Sequence, residues 1–318
     1  MEQEPTGHVE ITDDGPIWHE IRECGRIRFP ESLMGPISYL HRRDAIRPPA
    51  DWVDRCKCSE GRLSAALVID TMFDFRSDAT TRDPDQSSPT LQRCHQLLWS
   101  KPLPGGSRFD LDARPRGGPY LHHRSDLGEF FLSSDSVIAT FRGWDRTAEL
   151  MQQLSLRDVE WFEYVGYTIG GMMIWPSNRV DGKHTINGAR GMSYTTIADR
   201  MDLTLECIRR YYDGDLQTPL GPTLARYPEY FVLFRDFRGY VDFFLLQDLV
   251  TDEYDGVRFF TNFDDFRPTA VPRDLASYTQ FRDASIAFVH ARNRRIEDWA
   301  AQHLRADRYA KSLKVSVE

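Results

Sequence analysis

The stretch YTIGGMMIWPSNRVDGKHTINGARG, residues 167–191, divides the chain into two kinds of sequence. Tyr167 to Ile174 is apolar and reads as a strand entering a core, with Gly170 and Gly171 permitting a close backbone approach or a bulge. From Trp175 to Gly191 the run becomes polar and turn-rich, and it collects Arg179, Asp181, Lys183, His184, Thr185, Asn187 and Arg190. Before it, short strand-like segments are separated by Gly and Pro turns. After it, apolar residues recur at helical spacing. The predicted fold class is α+β: a mixed, sheet-containing N-terminal half packed against a mainly helical C-terminal half.

Toward the N-terminus, helices are expected over Arg146 to Leu154 and Leu156 to Val165, and short strands at Arg108 to Leu111, Tyr120 to His122 and Glu129 to Leu132. Pro89 to Ser100 places Leu91, Cys94, Leu97 and Leu98 on one side and reads as a helix capped from within Asp85 to Ser88. LSAALVIDTMFDF, residues 63–75, predicts a further strand. Residues 1 to about 60 are rich in Pro, Asp, Glu and Arg and read as an irregular extension or peripheral subdomain. Residues 61–318 then form a single α+β domain, sheet-rich to about 176 and helical after about 192.

Toward the C-terminus, Ile197, Met201, Leu205, Ile208 and Tyr212 mark the buried face of a helix from about Tyr194 to Tyr212. Further helices are expected over Leu220 to Phe234 with a break at Pro228, over Asp236 to Thr251, and over Asp274 to Arg305.

Composition narrows the function classes. A chain of 318 residues with 41% apolar content and 7 Trp, 13 Tyr and 19 Phe has ample material for a core. A net charge of -8 argues against holding nucleic acid by bulk electrostatics, so sequence-specific DNA binding is not expected, while one local basic pocket is compatible with it. No run approaches the roughly 18 to 20 apolar residues of a membrane helix, and the opening MEQEPTGHVEITDDG lacks the basic and apolar regions of a signal peptide. The expectation is a cytoplasmic protein with no membrane partner. Cys24, Cys56, Cys58, Cys94 and Cys207 have no framework spacing and fit reduced thiols. Cys56 and Cys58 flank Lys57, but no second pair follows at zinc-ribbon spacing, so no metal is assigned.

Within residues 175–191, Arg179, Lys183 and Arg190 are fixed positive charges, His184 exchanges a proton near neutral pH, and Thr185 and Asn187 orient polar groups. Guanidinium forks and the amides around Gly182, Gly188 and Gly191 suit a phosphate. Gly182-Lys183-His184-Thr185 matches only the tail of a Walker loop, whose full spacing is absent. An exposed connector with solvated charges is the competing reading. Asp199, Asp202 and Glu206 recur at spacings of three and four, which suits a divalent ion or a general base, and equally a surface salt stripe with Glu206 paired to Arg210. In DFRGYVDFFLLQDLV, residues 236–250, Arg238 and Asp242 are expected to pair within a largely covered helix. Asp74, Arg76 and Asp78 form a further polar group, followed by His95 and Lys101. His122 and His123, adjacent on a strand, face opposite ways. No nucleophile elbow, zinc-protease helix or dinucleotide fingerprint is present.

Several long strings, FDFRSDATTRDPDQSSPTLQRCHQLLWSKPLP (73–104), GEFFLSSD (128–135), GYTIGGMMIWPSNRVDGKHTINGARG (166–191), DRMDLTLECIRRYY (199–212) and DFRGYVDFFLLQDLV, carry a resemblance. Together they resemble an uncharacterised family of actinobacterial and phage-associated proteins that bears only a domain-of-unknown-function label, over about residues 70–300. The resemblance implies one domain and brings no reaction, cofactor or catalytic residue with it.

The leading functional expectation is an enzyme, or an enzyme-derived module, holding a nucleotide or other phosphorylated ligand between the two halves. Arg76, Arg179, Lys183 and Arg190 bind the anion, Asp181, Thr185 and Asn187 complete the ligand site, His184 is acid or base, and Asp202 or Glu206 is a secondary carboxylate. Nucleotidyl, phosphoryl or ADP-ribosyl transfer by a toxin or phage-defence effector fits these parts. The alternative is a non-catalytic module binding a protein or an RNA through the loop and a helical face, since Tyr, Trp and Arg dominate interface hot spots. Convergence of the loop with Arg76 and a carboxylate in one concave pocket distinguishes the first reading from the second.

Overall fold

Met172 to Pro176 is buried at every position, so this strand has to be covered on both faces. The computed structural model describes residues 9–12, 15–18, 69–81, 83–113, 121–267 and 270–315, with 9–12, 15–18, 113 and 304–315 as backbone only. A hairpin comes first, β1 (Val9–Thr12) and β2 (Gly15–Trp18), antiparallel to each other. Helices α1 (Pro84–Ser87) and α2 (Pro89–Trp99) precede β3 (Asp112–Ala113), β4 (Leu121–Ser125) and β5 (Gly128–Ser136). Helices α3 (Ala148–Met151) and α4 (Leu156–Gly166) lead into β6 (Met172–Pro176). The remainder is helical: α5 (Ile186–Met192), α6 (Met201–Tyr212), α7 (Gly221–Leu224), α8 (Pro228–Val232), α9 (Phe237–Phe244) and α10 (Leu275–Val315).

The fold is α+β, as its halves suggest. The sheet is four-stranded and antiparallel in the order β3-β4-β5-β6, and the β5–β6 register runs from Leu132 opposite Pro176 to Ser136 opposite Met172. As the end strand of the ladder, β6 would expose unpaired backbone groups without a cover. Arg292 of α10 supplies part of that cover. Its fully buried guanidinium donates from Nη1 to the carbonyls of Gly170 (3.0 Å) and Met172 (2.8 Å), and from Nη2 to that of Phe244 (3.0 Å). Burial lowers its pKa to about 9, which leaves it protonated at neutral pH.

Next to it, Asn293 accepts from the Gly170 amide at 2.6 Å and donates to Thr168 Oγ1 at 3.1 Å. A Cβ on Gly170 would stand 2.6 Å from Asn293 Oδ1 and 2.7 Å from the Val289 carbonyl. The close backbone approach expected of this glycine is therefore the docking of the long helix. Over β6 lies α9, where Trp175 Nε1 donates to Tyr240 Oη at 3.2 Å, and Phe234, Phe243 and Phe244 pack edge-on and tilted around Trp99 and Tyr240.

Several sequence expectations need correction. Of the strand expected at 63–75, residues 63–68 lie outside the described residues and 69–75 form turns. Asp70 accepts from the Met72 amide and Asp74 from the Arg76 amide, so local carboxylates take the donors a ladder would need. The segment still docks along the same corner, through Phe75 N to Tyr167 O and Ile169 N to Thr71 O. The strand expected at 108–111 is a single bridge, Pro102 to Arg108, and the ladder strand is β3. The helix expected from 194 begins at Met201, because Ala198 and Asp199 adopt left-handed backbone (φ 51° and 57°). Left-handed Leu245 (φ 57°) ends α9 well before Thr251. The helix over 146–154 contracts to a 3-10 turn, Asp145–Thr147, followed by α3. The helices over 89–100 and 156–165, the break at Pro228 and the long final helix form as expected.

Cys56 and Cys58 lie outside the described residues, while Cys94 and Cys207 are buried, with burial pushing both thiols up to about 12. Arg292→Met should cost at least about 3 kcal/mol, because carbonyls of Gly170, Met172 and Phe244 lose their donor at roughly 1–3 kcal/mol each. Urea unfolding measures this, and a loss below about 1 kcal/mol would show that the helix docks without the guanidinium.

Candidate functional site

The polar run 175–191 does not stay together as one surface. Its first part leaves the sheet at Pro176 and reverses through Val180 to Lys183, where Asp181 (φ 53°) and Gly182 (φ 68°) occupy the two left-handed positions of a tight turn closed by Lys183 N to Val180 O. Arg179, Asp181, Lys183 and His184 are all exposed. Arg226 Nη2 donates to the His184 carbonyl at 2.6 Å and Tyr227 Oη to the Asn178 carbonyl at 3.0 Å, so the loop's ends are tied down while its charges face solvent.

The second part is helix α5. Thr185 is its N-cap, accepting from the Gly188 amide at 3.2 Å, and Asn187 has a buried Oδ1 with no hydrogen-bond partner among the described residues. Arg190 sits on the inner face of α5 and is fully buried. Its Nε donates to Thr204 Oγ1 (3.0 Å), Nη1 to Asp135 Oδ2 (3.3 Å), and Nη2 to the Asp199 carbonyl (2.6 Å) and more weakly to the Ser136 carbonyl (3.4 Å), while the guanidinium lies 4.5 Å from the Trp175 ring centre.

The loop and Arg190 therefore stand at opposite ends of the β5–β6 pair. Pro176 is opposite Leu132, whereas Arg190 reaches Asp135 and Ser136, about four residues or roughly 13 Å of strand away. Arg76 belongs to the Arg190 end. It lines a cleft of about 180 Å³ with Ser136, Thr140, Glu163 and Tyr167. Asp74 holds Arg76 through Nε (3.0 Å) and Nη2 (2.9 Å), and the guanidinium packs 4.5 Å from the Tyr167 ring centre. Arg76 Nη1 makes no hydrogen bond among the described residues. Glu163 on α4 pairs with Arg142 at 3.0 Å. The Tyr167 hydroxyl is pushed up by burial, against the pull of Arg76.

Asp135, next to Ser136 at the end of β5, is 43% exposed. Partial burial raises its carboxyl above the ordinary carboxylate range, with Arg190 opposing and Asp199 reinforcing the shift. On the other face of β5, Asp85 accepts from the Ser134 amide (2.9 Å) and hydroxyl (2.6 Å).

Asp202 and Glu206, expected as carboxylates for chemistry, stand on α6 with other partners. Asp202 is fully buried, bound by Arg200 Nε at 3.1 Å and by the Phe260 amide at 2.9 Å. Glu206 takes Arg209 at 2.8 Å and the expected Arg210 at 2.7 Å. Asp199 lies ahead of the helix, so the three acids do not form a row. Arg238 and Asp242 approach to 3.8 Å on an exposed face, where Asp242 also accepts from Tyr254, which corrects the expectation of a covered pair. His122 pairs with Glu129, and His123 bonds the Asp110 carbonyl and Ser125. Asp135, Ser136, Thr140 and Glu163 were not anticipated. The signal for Asp135 and Ser136 lay in SSDS, residues 133–136, where the polar and apolar alternation of β5 stops.

The profile of a family of unknown function, DUF6994, matches residues 69–296. The chain belongs to this family. Its span takes in the sheet, the Arg76 cleft, the basic loop and most of α10. Comparison with curated proteins and with solved structures found no match. No helix among the described residues is long and apolar enough to cross a membrane.

The cluster around β5 gives a pH signature. Burial pushes Asp85 up to about 7, so the folded chain holds this proton more tightly than the unfolded one, and Asp85 removes stability as pH rises from about 4 to about 7. Asp85→Asn keeps an acceptor for Ser134 and should flatten that decline in melting temperature. Equal declines in both proteins would mean Asp85 is ionised in the folded state throughout.

Proposed function

We propose that this member of the DUF6994 family is an enzyme, or an enzyme-derived module, that binds a phosphorylated or nucleotide-type ligand with its charged end in the Arg76 cleft. The observation that carries the reading is the convergence of Arg76, Glu163, Tyr167, Ser136 and Thr140 on one concavity; the loop 177–185, expected to join Arg76 there, stands at the other end of the β5–β6 pair and is not part of it. Arg76 Nη1 retains donors for an anion, while Asp74 fixes the direction of the fork. A volume of about 180 Å³ holds roughly six waters, the size of a phosphate or small sugar group. The rest of a nucleotide would extend outside it. In a transfer reaction, nucleotidyl, phosphoryl or ADP-ribosyl, Glu163 is the carboxylate that lines the cleft and the group placed to move a proton, in the role the sequence suggested for His184.

Thermal shifts with inorganic phosphate, nucleotides and NAD test this. A ligand at about 100 times its Kd adds roughly 2.7 kcal/mol, a shift of a few degrees for a chain of this size. The expected result is a shift lost in Arg76→Ala and kept in Arg179→Ala. A shift lost only in Arg179→Ala places the ligand on the loop, and no shift with any of these compounds removes the reading.

A second reading, a non-catalytic module for RNA or protein, is favoured by the loop itself. Arg179, Lys183 and His184 are exposed and none of them ion-pairs with a described residue, in a chain of net charge -8. On this reading Arg179→Ala or Lys183→Ala lowers the salt slope for a single-stranded RNA by about 0.7 for each phosphate contact removed. An unchanged slope assigns these charges to solvent.

A further inference from the structure

Both ionic groups that line the Arg76 cleft are already compensated. Arg76 is paired with Asp74, each side chain 16% exposed, and Glu163 is paired with Arg142 at 3.0 Å. Together the two pairs carry no net charge, so Coulomb attraction alone does not decide which ligand the cleft holds. A lone anion there also faces the Glu163 carboxylate, and like charges at close range repel. A ligand that joins its anion to a hydrogen-bond donor for that carboxylate removes the conflict.

The lining has unused capacity of both kinds. Among the described residues Arg76 Nη1 has no acceptor, and on Glu163 only Oε2 is taken, by Arg142 Nη1, which leaves Oε1 without a donor. The Tyr167 hydroxyl makes no hydrogen bond there, and Thr140 Oγ1 only accepts weakly, from the Arg142 amide at 3.5 Å. Ser136 Oγ is occupied, with the carbonyls of Ile138 and Gly166 at 3.3 and 3.4 Å and the Ile138 amide at 3.1 Å. Glu163 and Tyr167 are four residues apart at the end of α4 and share a face, while the Arg76 guanidinium lies 4.5 Å from the Tyr167 ring centre. One helical turn, roughly 5 Å, separates Glu163 from the residue on which Arg76 stacks, close to the distance from a phosphorus atom to a hydroxyl on the second or third carbon of its ester. The cleft's 180 Å³, roughly six waters, takes the four oxygens of a phosphate and about two polar atoms more.

Resting on the reading of this cleft as a phosphate site, we propose that it selects phosphate monoesters of polyhydroxy alcohols and sugars, with Glu163 as the residue that sets the selection. Arg76 Nη1 donates to the phosphate, and Glu163 Oε1 accepts from a hydroxyl on the second or third carbon. The Tyr167 and Thr140 hydroxyls donate to the remaining ligand oxygens, and Ile138, 7% exposed, gives the carbon chain an apolar wall. Nucleotides enter this class through their ribose. Bare phosphate and simple alkyl esters fall outside it, because they set an anion beside Oε1 and give it no donor.

The test measures, by calorimetry on the full chain, the Kd of glycerol 3-phosphate and of n-propyl phosphate, which has the same three carbons and no hydroxyl. Glycerol 3-phosphate should bind at least about tenfold tighter, and Arg76→Ala should weaken both esters. Glu163→Gln separates the carboxylate from general damage to the cleft. It should weaken glycerol 3-phosphate and leave n-propyl phosphate unchanged or tighter, since a like charge has gone, and so bring the ratio below about threefold. A native ratio below about tenfold, or equal weakening of both esters in Glu163→Gln, overturns the selection and leaves phosphate binding in the cleft standing. Binding of neither ester also overturns it, and the shifts with inorganic phosphate and nucleotides then decide the wider reading separately. Binding that Arg76→Ala leaves unchanged overturns both.

Discussion

The guanidinium of Arg292 is the contact on which the rest of the structure depends. It joins three segments that no ladder connects: the 3-10 turn before β6, the first residue of β6, and the last turn of α9. Each contributes a carbonyl that helix or sheet geometry leaves unpaired, and in a buried place such a group needs a donor. One planar fork meets all three. With Asn293 fastening the Gly170 amide beside it, α10 is fixed in rotation and height against the corner 168–172, and that corner ends α4 and begins β6. The position of Tyr167, and through it of Arg76, follows from this docking.

The candidate site takes its shape from the same corner. Its walls are the last residues of β5 and of α4, held side by side because β6 pairs with β5 while the turn before it is clamped by α10. Arg190, buried and outside the cleft's lining, reaches from α5 to Asp135 and to the Ser136 carbonyl and so holds the end of β5. A cleft framed by a strand end, a helix end and the Arg76 guanidinium is preorganised, since Asp74 holds Arg76 and Glu163 stands on α4. The basic loop 177–185 is the reverse case, anchored at its ends by Arg226 and Tyr227 with its cationic tips in water. The two features differ in how much protein fixes them, which is why concave chemistry belongs to one and surface contact to the other.

Much of the fold was legible in the sequence because periodicity reports burial. The 3.6-residue recurrence through Met201, Leu205 and Ile208, the cap before Pro89 and the break at Pro228 are local, and local rules decide them. What escaped was decided at a distance or by single backbone angles. Left-handed Ala198 and Asp199 start α6 late although Ile197 keeps the apolar period, and Asp70 and Asp74 turn an apolar run into bends. The run 175–191 was correctly seen as rich in donors, but its division into an outward loop and an inward helix rests on where Thr185 caps α5. Asp135 was missed because its environment comes from Arg190 and Asp199, 55 and 64 residues further on, and no spacing rule reaches that far.

Arginine misled the sequence reading for a physical reason that now has a pattern. A guanidinium reads as an anion receptor, yet three in this chain are buried struts for irregular backbone. Arg190 serves the carbonyls of Ser136 and Asp199, Arg200 that of Ala270, and Arg292 those of Gly170, Met172 and Phe244. Short helices separated by left-handed residues leave many carbonyls inside without ladder partners, and a planar group with five donors satisfies them more economically than a set of hydroxyls. A count of arginines near a polar loop therefore overstates its affinity for phosphate in a fold of this kind. The informative cation is one whose donors are not already taken up by backbone, and by that measure Arg76, which lines the cleft and whose Nη1 makes no hydrogen bond among the described residues, stands apart from Arg190 although the sequence ranked them alike.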